Sequence, residues 1–258
     1  MLSYQHAYHA GSLADVHKHA VLVHVLQYLT ERFPRITFMD THSGRGMYRI
    51  NSVEAQKTGE AASGIVRLME QKKLADQPLG VVLRQIRGRY GEDSYPGSPF
   101  IAENLLRSDD RMHLFELHPA EVRALEKNLQ ARNIRIQHYD GYDGSSKLCP
   151  PVPQNGLVLI DPSFEVKSEY MLAAEYVEYM AEHWPQAVQL LWYPMLKANN
   201  HVPMIEALEQ MGLPQLWHQQ IQFCDPESVR GLYGSGLIAV NMPDALYKKL
   251  ETVRDVFA

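Results

Sequence analysis

Seven short, apolar, β-branched runs recur along the chain, most of them stopping at an acid or a turn residue. They are Ile36 to Asp40, Met112 to Glu116, Ile134 to Asp140, Leu157 to Asp161, Ala187 to Tyr193, Leu216 to Phe223 and Gly236 to Asn241. Between most of them lie segments with apolar residues at helical spacing, such as Ala120 to Ala131, Glu169 to His183 and His201 to Met211. Short apolar runs bounded by turn residues are strands, and a 3.6-residue period is an amphipathic helix. Strand and helix in alternation predict an α/β, Rossmann-like fold, with a mostly parallel sheet of seven strands covered on both faces. The last two runs depart from this rule. The segment between them, Asp225 to Gly234, has no helical period, so these two strands are expected to pair antiparallel. With no repeat and no linker, one domain over residues 1–258 is expected.

The first acid at a strand end, Asp40, and the second, Glu116, are 76 positions apart, whereas an uninterrupted βαβ unit places them roughly 20 apart. About fifty residues, approximately 47–94, are therefore an insertion, with helical reading around Ala61 to Gln71 and Gly80 to Tyr90. From Arg45 to Gly91 there are nine Lys or Arg against four acids, a charge of +5 in a chain of net −5 that leaves −10 for the remainder. A net acidic chain is not a generic nucleic-acid coat. A basic helical lobe beside a ligand crevice suits a grip on phosphates, with Arg84, Arg87 and Arg89 as candidates, and a solvated helical face accounts for the same charges.

The two cysteines, Cys149 and Cys224, have neither metal-ligand spacing nor a disulfide framework, so packing roles and a reducing, cytoplasmic setting are expected. Five histidines fall within the first 24 residues. His17 and His19 project from different sides of a helix, so no metal is expected, and local hydrogen bonding is the reading for His9 and His19. The N-terminus shows no basic-plus-apolar leader, and Ala20 to Leu29 is too short to span a bilayer, so a soluble, uncleaved protein is expected.

Ligands of open α/β sheets sit beyond the carboxyl ends of the strands. The first such end is followed by D-T-H-S-G-R-G-M-Y, Asp40 to Tyr48, whose two glycines let backbone approach a ligand closely. Glu116 ends the second strand, where a carboxylate can accept both hydroxyls of a ribose. Asp140 and Gly141 end the third, placed to meet an adenine edge. Each acid alone is a common turn or cap residue, but three in register are a ligand signature. The fourth end carries D-P-S-F-E, Asp161 to Glu165. An adenine's exocyclic nitrogen is a poor nucleophile because its lone pair is delocalised into the ring. Two acceptors aimed at its hydrogens, the Asp161 carboxylate and the Pro162 carbonyl, would draw it toward tetrahedral geometry and stabilise developing positive charge. Phe164 would stack on the base and fix it in line. A bare proline turn is the competing reading.

Several ordered blocks carry a family resemblance over nearly the whole chain. They are M-L-S-Y-Q-H at the start, H-A-G-S-L-A-D-V-H-K-H from His9, D-T-H-S-G-R-G, Y-P-G-S-P-F-I-A from Tyr95, F-E-L-H-P from Phe115, L-I-D-P-S-F-E, L-W-Y-P from Leu191 and R-G-L-Y-G-S-G-L-I-A-V-N from Arg230. The chain resembles the RlmJ family of bacterial 23S ribosomal RNA adenine-N6 methyltransferases. The resemblance implies a class I S-adenosylmethionine-dependent methyltransferase fold with an inserted helical subdomain, S-adenosyl-L-methionine as cofactor, and an adenine of 23S rRNA as acceptor. It further implies a cofactor-lining set of His19, His42, Ser98, Glu116, Asp140, Gly141 and Asp161, with Lys18 beside it, a catalytic role for Asp161, and an RNA contact at Tyr4. The family usually has a second proline where this chain has Ser163, which relaxes the turn that aims the Pro162 carbonyl, and often tyrosine where it has Phe164. At Ser12 and Leu13 the family tends toward more polar residues. The expected substrate is protein-free 23S rRNA or an early assembly intermediate, acted on by a monomer. Competing readings are a DNA adenine-N6 methyltransferase, since the residues reveal no 2′-hydroxyl contact, and a non-catalytic nucleic-acid-binding protein linked to use of external DNA.

Overall fold

The computed structural model describes residues 5–229 and 231–258. The chain enters through a single turn at His6–Tyr8 into a long helix, α1 (Leu13–Arg32). Then follow β1 (Thr37–Asp40) and the insertion, which leaves through β2 (Met47–Arg49) and returns through β3 (Ser94–Pro96). Within it lie α2 (Val53–Thr58), α3 (Arg67–Glu70) and α4 (Pro78–Tyr90). The remainder alternates α5 (Ser98–Leu105), β4 (Arg111–Glu116), α6 (Pro119–Asn128), β5 (Ile134–His138), α7 (Gly141–Ser146), β6 (Gly156–Ile160), α8 (Ser168–His183), β7 (Ala187–Leu196), α9 (His201–Gln210), β8 (Trp217–Gln222), β9 (Leu232–Val240) and α10 (Asp244–Glu251).

Among the described residues, seven strands form one sheet in the order β5-β4-β1-β6-β7-β9-β8, and β2 and β3 form a separate antiparallel ribbon. The first five of the seven are parallel, while β9 runs antiparallel between β7 and β8, as the helix-free loop before it predicts. The chain reverses its direction of travel across the sheet at β1, which lies between β4 and β6, so the crevice opens beyond Asp40 and Ile160.

α1 lies against the sheet, with α4, α5 and α10 packed around it. It is buried on nearly every side, as a helix wedged between layers must be. Its first turns nevertheless carry the buried polar residues Asp15, His17, Lys18 and His19. They face the carboxyl ends of the strands, whereas Val21, Leu22, Val25 and Leu26 further along enter the main core.

The helical stretch expected around Ala61 to Gln71 is broken. A π-helical turn occupies Ala62–Val66, with Gly64 at φ −96, ψ −110, and it leads into the short α3. The cause is docking: Ile65 N–H donates to the Gly11 carbonyl at 2.9 Å, and a Cβ at Gly64 would strike that same carbonyl. α4 begins at Pro78, whose missing N–H costs nothing in a first turn, and covers the second helix expected in the insertion.

Candidate active site

The carboxyl ends of β1, β4, β5 and β6 open into a cleft of about 820 Å³, within the roughly 300–1,000 Å³ range of small-molecule and cofactor pockets. His19, His42, Ser98, Glu116, Asp140, Gly141, Asp161, Pro162, Phe164 and Lys18 all line it, so residues up to 146 positions apart converge there.

The wall formed by β1, β4 and β5 is held mainly by backbone. After β1 the chain turns through Gly44 (φ +56) and Gly46 (φ +75), a region that disfavours any side chain. At Gly46 a Cβ would also press on Leu125 Cδ1 at 2.7 Å. Gly44 N–H donates to Glu116 Oε2 at 2.8 Å and His118 N–H to Glu116 Oε1 at 2.7 Å. Glu116 thus keeps lone-pair capacity for a ligand, while burial pushes the carboxyl above its usual range. Asp140 caps α7 through Asp143 N–H at 3.0 Å. At Gly141 a Cβ would collide with the Thr41 carbonyl, so the loops after β1 and β5 touch backbone to backbone. Beneath them Asp40 is fully buried, accepting from Ser98 Oγ at 2.6 Å and His42 N–H at 3.1 Å, and burial pushes it up to about 7. His42 and His19 are neutral, since burial pulls them down to about 4 and about 3. His19 bonds the Tyr95 hydroxyl at 2.9 Å, and His9 pairs with Glu60 at 2.9 Å.

The wall formed by α1, β6 and β7 is held by charged and aromatic side chains. Asp161 follows β6 directly, and Lys18 Nζ donates to its Oδ2 at 2.5 Å and to Asp15 Oδ1 at 3.0 Å. Burial pushes the Asp161 carboxyl up and Lys18 opposes this. Lys18 itself is raised, because the two carboxylates outweigh its burial. Among the described residues nothing donates to Asp161 Oδ1 or to the Pro162 carbonyl. The pairing of Ile160 with Leu191 carries Asp161 alongside Trp192, whose ring lies 5.6 Å from Lys18 Nζ. Phe164 takes a left-handed conformation (φ +52), which turns its ring onto Tyr170 at 4.4 Å and toward Trp192 at 6.3 Å.

Sequence reasoning missed Asp15 and Trp192. Trp192 Nε1 donates to Ser235 Oγ at 2.8 Å, and His17, pulled down to about 4 by burial, bridges Ser235 and Gln219 at 3.0 Å each. The available signal was charge within a buried helix face: Asp15 and Lys18 lie at i, i+3 in a segment otherwise apolar at those positions.

The structure overturns the expectation for Arg87. Arg87 is 7% exposed, and its guanidinium donates to the Ser94 carbonyl at 3.2 Å and approaches Met69 Sδ at 2.6 Å, so it braces the insertion from within and is unavailable to a polymer. Arg84 and Arg89 are exposed, bonded to the Ala75 carbonyl and to the Asn104 side chain, and neither lines the cleft. Other cations of the basic segment are also engaged internally, Arg45 on Glu121 and Arg49 on Asp93. Tyr4 lies outside the described residues. Ser12 has a structural duty, capping α1 by accepting Asp15 N–H at 3.2 Å. Among the described residues no group of histidines, cysteines and acids could hold a metal ion, and no helix is long and apolar enough to cross a membrane.

A doubly wound sheet whose last strand in the chain, β9, alone runs antiparallel, a glycine turn after β1 and acids at successive strand ends together define a class I S-adenosylmethionine-dependent methyltransferase. The family model described as "RsmJ: Ribosomal RNA large subunit methyltransferase D, RlmJ" matches residues 34–258. The ribosomal RNA large subunit methyltransferases J of Haemophilus influenzae and Escherichia coli K12 are each 34% identical to the chain over 257 residues. Those matches cover 98% of this chain and 92% and 91% of the two relatives. A crystal structure of a Legionella pneumophila protein superposes with a TM-score of 0.85 at 30% identity, covering 96% of this chain and 92% of that one. The chain belongs to the RlmJ family of ribosomal RNA large subunit methyltransferases.

Proposed function

We propose that the chain methylates the exocyclic N6 of an adenine in 23S ribosomal RNA, using S-adenosyl-L-methionine. The observation that carries this reading is Asp161, paired with Lys18, with Oδ1 and the adjacent Pro162 carbonyl lacking a donor among the described residues at the mouth of the cleft. The cofactor's chemistry fits the opposite wall: Glu116 has lone pairs for ribose hydroxyls, and Asp140 and Gly141, whose backbone is pressed against the Thr41 carbonyl, would meet an adenine edge. His19, His42, Ser98 and Lys18 complete the set. S-adenosylmethionine, when bound, supplies an electrophilic methyl group.

Asp161 Oδ1 and the Pro162 carbonyl accept the two hydrogens of the amine, which draws the nitrogen out of conjugation and stabilises positive charge as it develops. Lys18 keeps the Asp161 carboxylate from taking up a proton beforehand. Phe164 stacks on the flipped base, a pose for which its turned-in ring beside Trp192 is suited. The substrate in this reading is protein-free 23S rRNA or an early assembly intermediate, and the enzyme is a cytoplasmic monomer.

The test is transfer of labelled methyl to protein-free 23S rRNA by the purified chain and by Asp161→Ala, which is expected to lose about a hundredfold or more. Undiminished transfer by Asp161→Ala would reject the assigned role. Preferential transfer to DNA of equal sequence would change the polymer, and failure to bind S-adenosylmethionine in calorimetry would make the chain a binding protein. Sedimentation of the free protein reads the oligomeric state.

A further inference from the structure

The first turn of α1 carries more buried charge than a helix start requires. Asp15 is 2% exposed. Its Oδ2 accepts Gly11 N–H at 3.0 Å and lies 2.9 Å from His6 Nε2, and its Oδ1 accepts from Lys18 Nζ at 3.0 Å. Capping explains part of this, since Ser12 Oγ accepts the Asp15 N–H while Asp15 accepts the Gly11 N–H, a reciprocal arrangement that satisfies two amides at the helix start. Capping does not explain the other two partners. A cap carboxylate needs neither a lysine nor a histidine, and it is ordinarily solvated. Here burial opposes ionisation, and His6 and Lys18 overcome it, holding the carboxyl well below the usual range.

The lysine is the informative partner. An ammonium on a four-carbon stem is a mobile point charge, yet Lys18 Nζ is fixed between two carboxylates, at 3.0 Å from Asp15 and 2.5 Å from Asp161. We infer that Asp15 is a positioning residue for the reaction: by engaging one N–H of Lys18 it confines the ammonium to Oδ2 of Asp161 and leaves Oδ1 turned to the cleft as the acceptor. Without that second anchor, the ammonium settles across both oxygens of Asp161 and competes with the amine hydrogens for them. Asp15 also ties the segment before α1 to the same lysine. The insertion grips that segment through Glu60 on His9, Thr58 Oγ1 on the Tyr8 carbonyl and Ile65 N–H on the Gly11 carbonyl.

This inference rests on the role proposed for Asp161, and a double-mutant cycle separates the two. Asparagine at position 15 keeps one acceptor for Gly11 N–H, while it removes the charge and puts an NH2 donor where Oδ1 accepts from Lys18. Asp15→Asn is expected to lower kcat for 23S rRNA about 10- to 100-fold, with S-adenosylmethionine affinity by calorimetry within about twofold of wild type. In a Lys18→Met background the same change costs nothing, and it recovers part of the residual rate, because it removes one of two facing carboxylates that have lost their cation. Ser12→Ala, which removes only the cap, lowers Tm and leaves kcat alone. Equal fractional losses of kcat from Asp15→Asn in both backgrounds, or an effect on Tm without one on kcat, would overturn the inference. If Asp15→Asn does not fold, Asp15→Glu decides: it keeps the charge but displaces the oxygens by one methylene, so kcat still falls, and a wild-type kcat overturns the proposal. A wild-type chain that transfers no methyl brings down the functional reading on which this rests. An active wild type with unaffected Asp15→Asn brings down this inference alone.

Discussion

The two walls of the cleft solve the same problem with different materials. On the β1, β4 and β5 side, amide groups and glycines do the holding: Gly44 and His118 N–H grip Glu116, and Gly141 lies against Thr41. On the α1, β6 and β7 side, long side chains do it: Lys18 between two acids, Trp192 fixed through Ser235, and Phe164 turned inward. A backbone wall has few rotamers to lose and suits a ligand that is always the same. A side-chain wall concentrates charge in a dry place and suits the developing charge of a reaction, at the cost of burying ions that must stay paired.

Removing Lys18 should break the contrast most severely. Lys18→Met leaves Asp15 and Asp161 facing each other without a cation, and loss of one partner from a buried ion pair costs about 3–5 kcal/mol. Thermal unfolding checks that loss. The sign of the pH effect follows from the groups present. Burial raises Asp161 and Lys18 lowers it, so without the lysine the carboxyl takes up its proton at higher pH, and the acid limb of kcat/KM moves upward. A pH–rate profile with an unmoved acid limb would detach Lys18 from catalysis.

On the other wall, Gly141→Ala should act on binding instead. Its methyl must displace the Thr41 carbonyl, a backbone atom with little freedom, and overpacking of about 1–3 kcal/mol corresponds to roughly 5- to 150-fold in S-adenosylmethionine affinity. Calorimetry measures this, and an unchanged Kd would mean that the two loops are not rigid. Asp40 gives a smaller, pH-dependent effect. Its folded pKa of about 7 exceeds an unfolded value of about 3.9, so its contribution to stability is present below that lower value and lost as pH rises toward 7. Asp40→Asn should therefore stabilise the fold by about 1–3 kcal/mol above pH 7 and by least near pH 4. Denaturant unfolding at the two pH values shows whether the gain follows that course.

The smallest effect is expected at the insertion. Arg84→Glu with Arg89→Glu should flatten the slope of log K against log salt for RNA by about 1.4–1.8 and leave cofactor affinity alone. Arg87→Met should lower Tm and leave the slope unchanged. A steep slope in the double variant would return these arginines to an ordinary solvated face.

Much of the fold could be read from the chain because four of the strands lead directly into an acid at or beneath the cleft. Asp40, Glu116, Asp140 and Asp161 each terminate an apolar run, and the order of those runs, with the helix-free loop before β9, predicts parallel pairing followed by one reversed strand. The backbone wall was legible for the same reason, since glycines and acids near a strand end are local signals. The side-chain wall was not, because Asp161 and Lys18 are 143 positions apart and no periodicity connects them. Asp15 looks like a cap in sequence, and its capping bonds conceal the ion pair on the same carboxylate. Charge counting misled at Arg87, because a long side chain can lie inside a small helical unit with its guanidinium turned to a carbonyl.

The ribbon of β2 and β3 has a consequence for how such an enzyme can diversify. Met47 pairs with Pro96, and Gly97 N–H donates to the Gly46 carbonyl at 2.7 Å, so the chain comes back to the place it left before helix α5 begins. Everything between is a side branch clipped at its neck. Its outward surface can drift, while α4 stays packed on α1 and Gly44 and Ser98 on either side of the clip keep their places at the crevice.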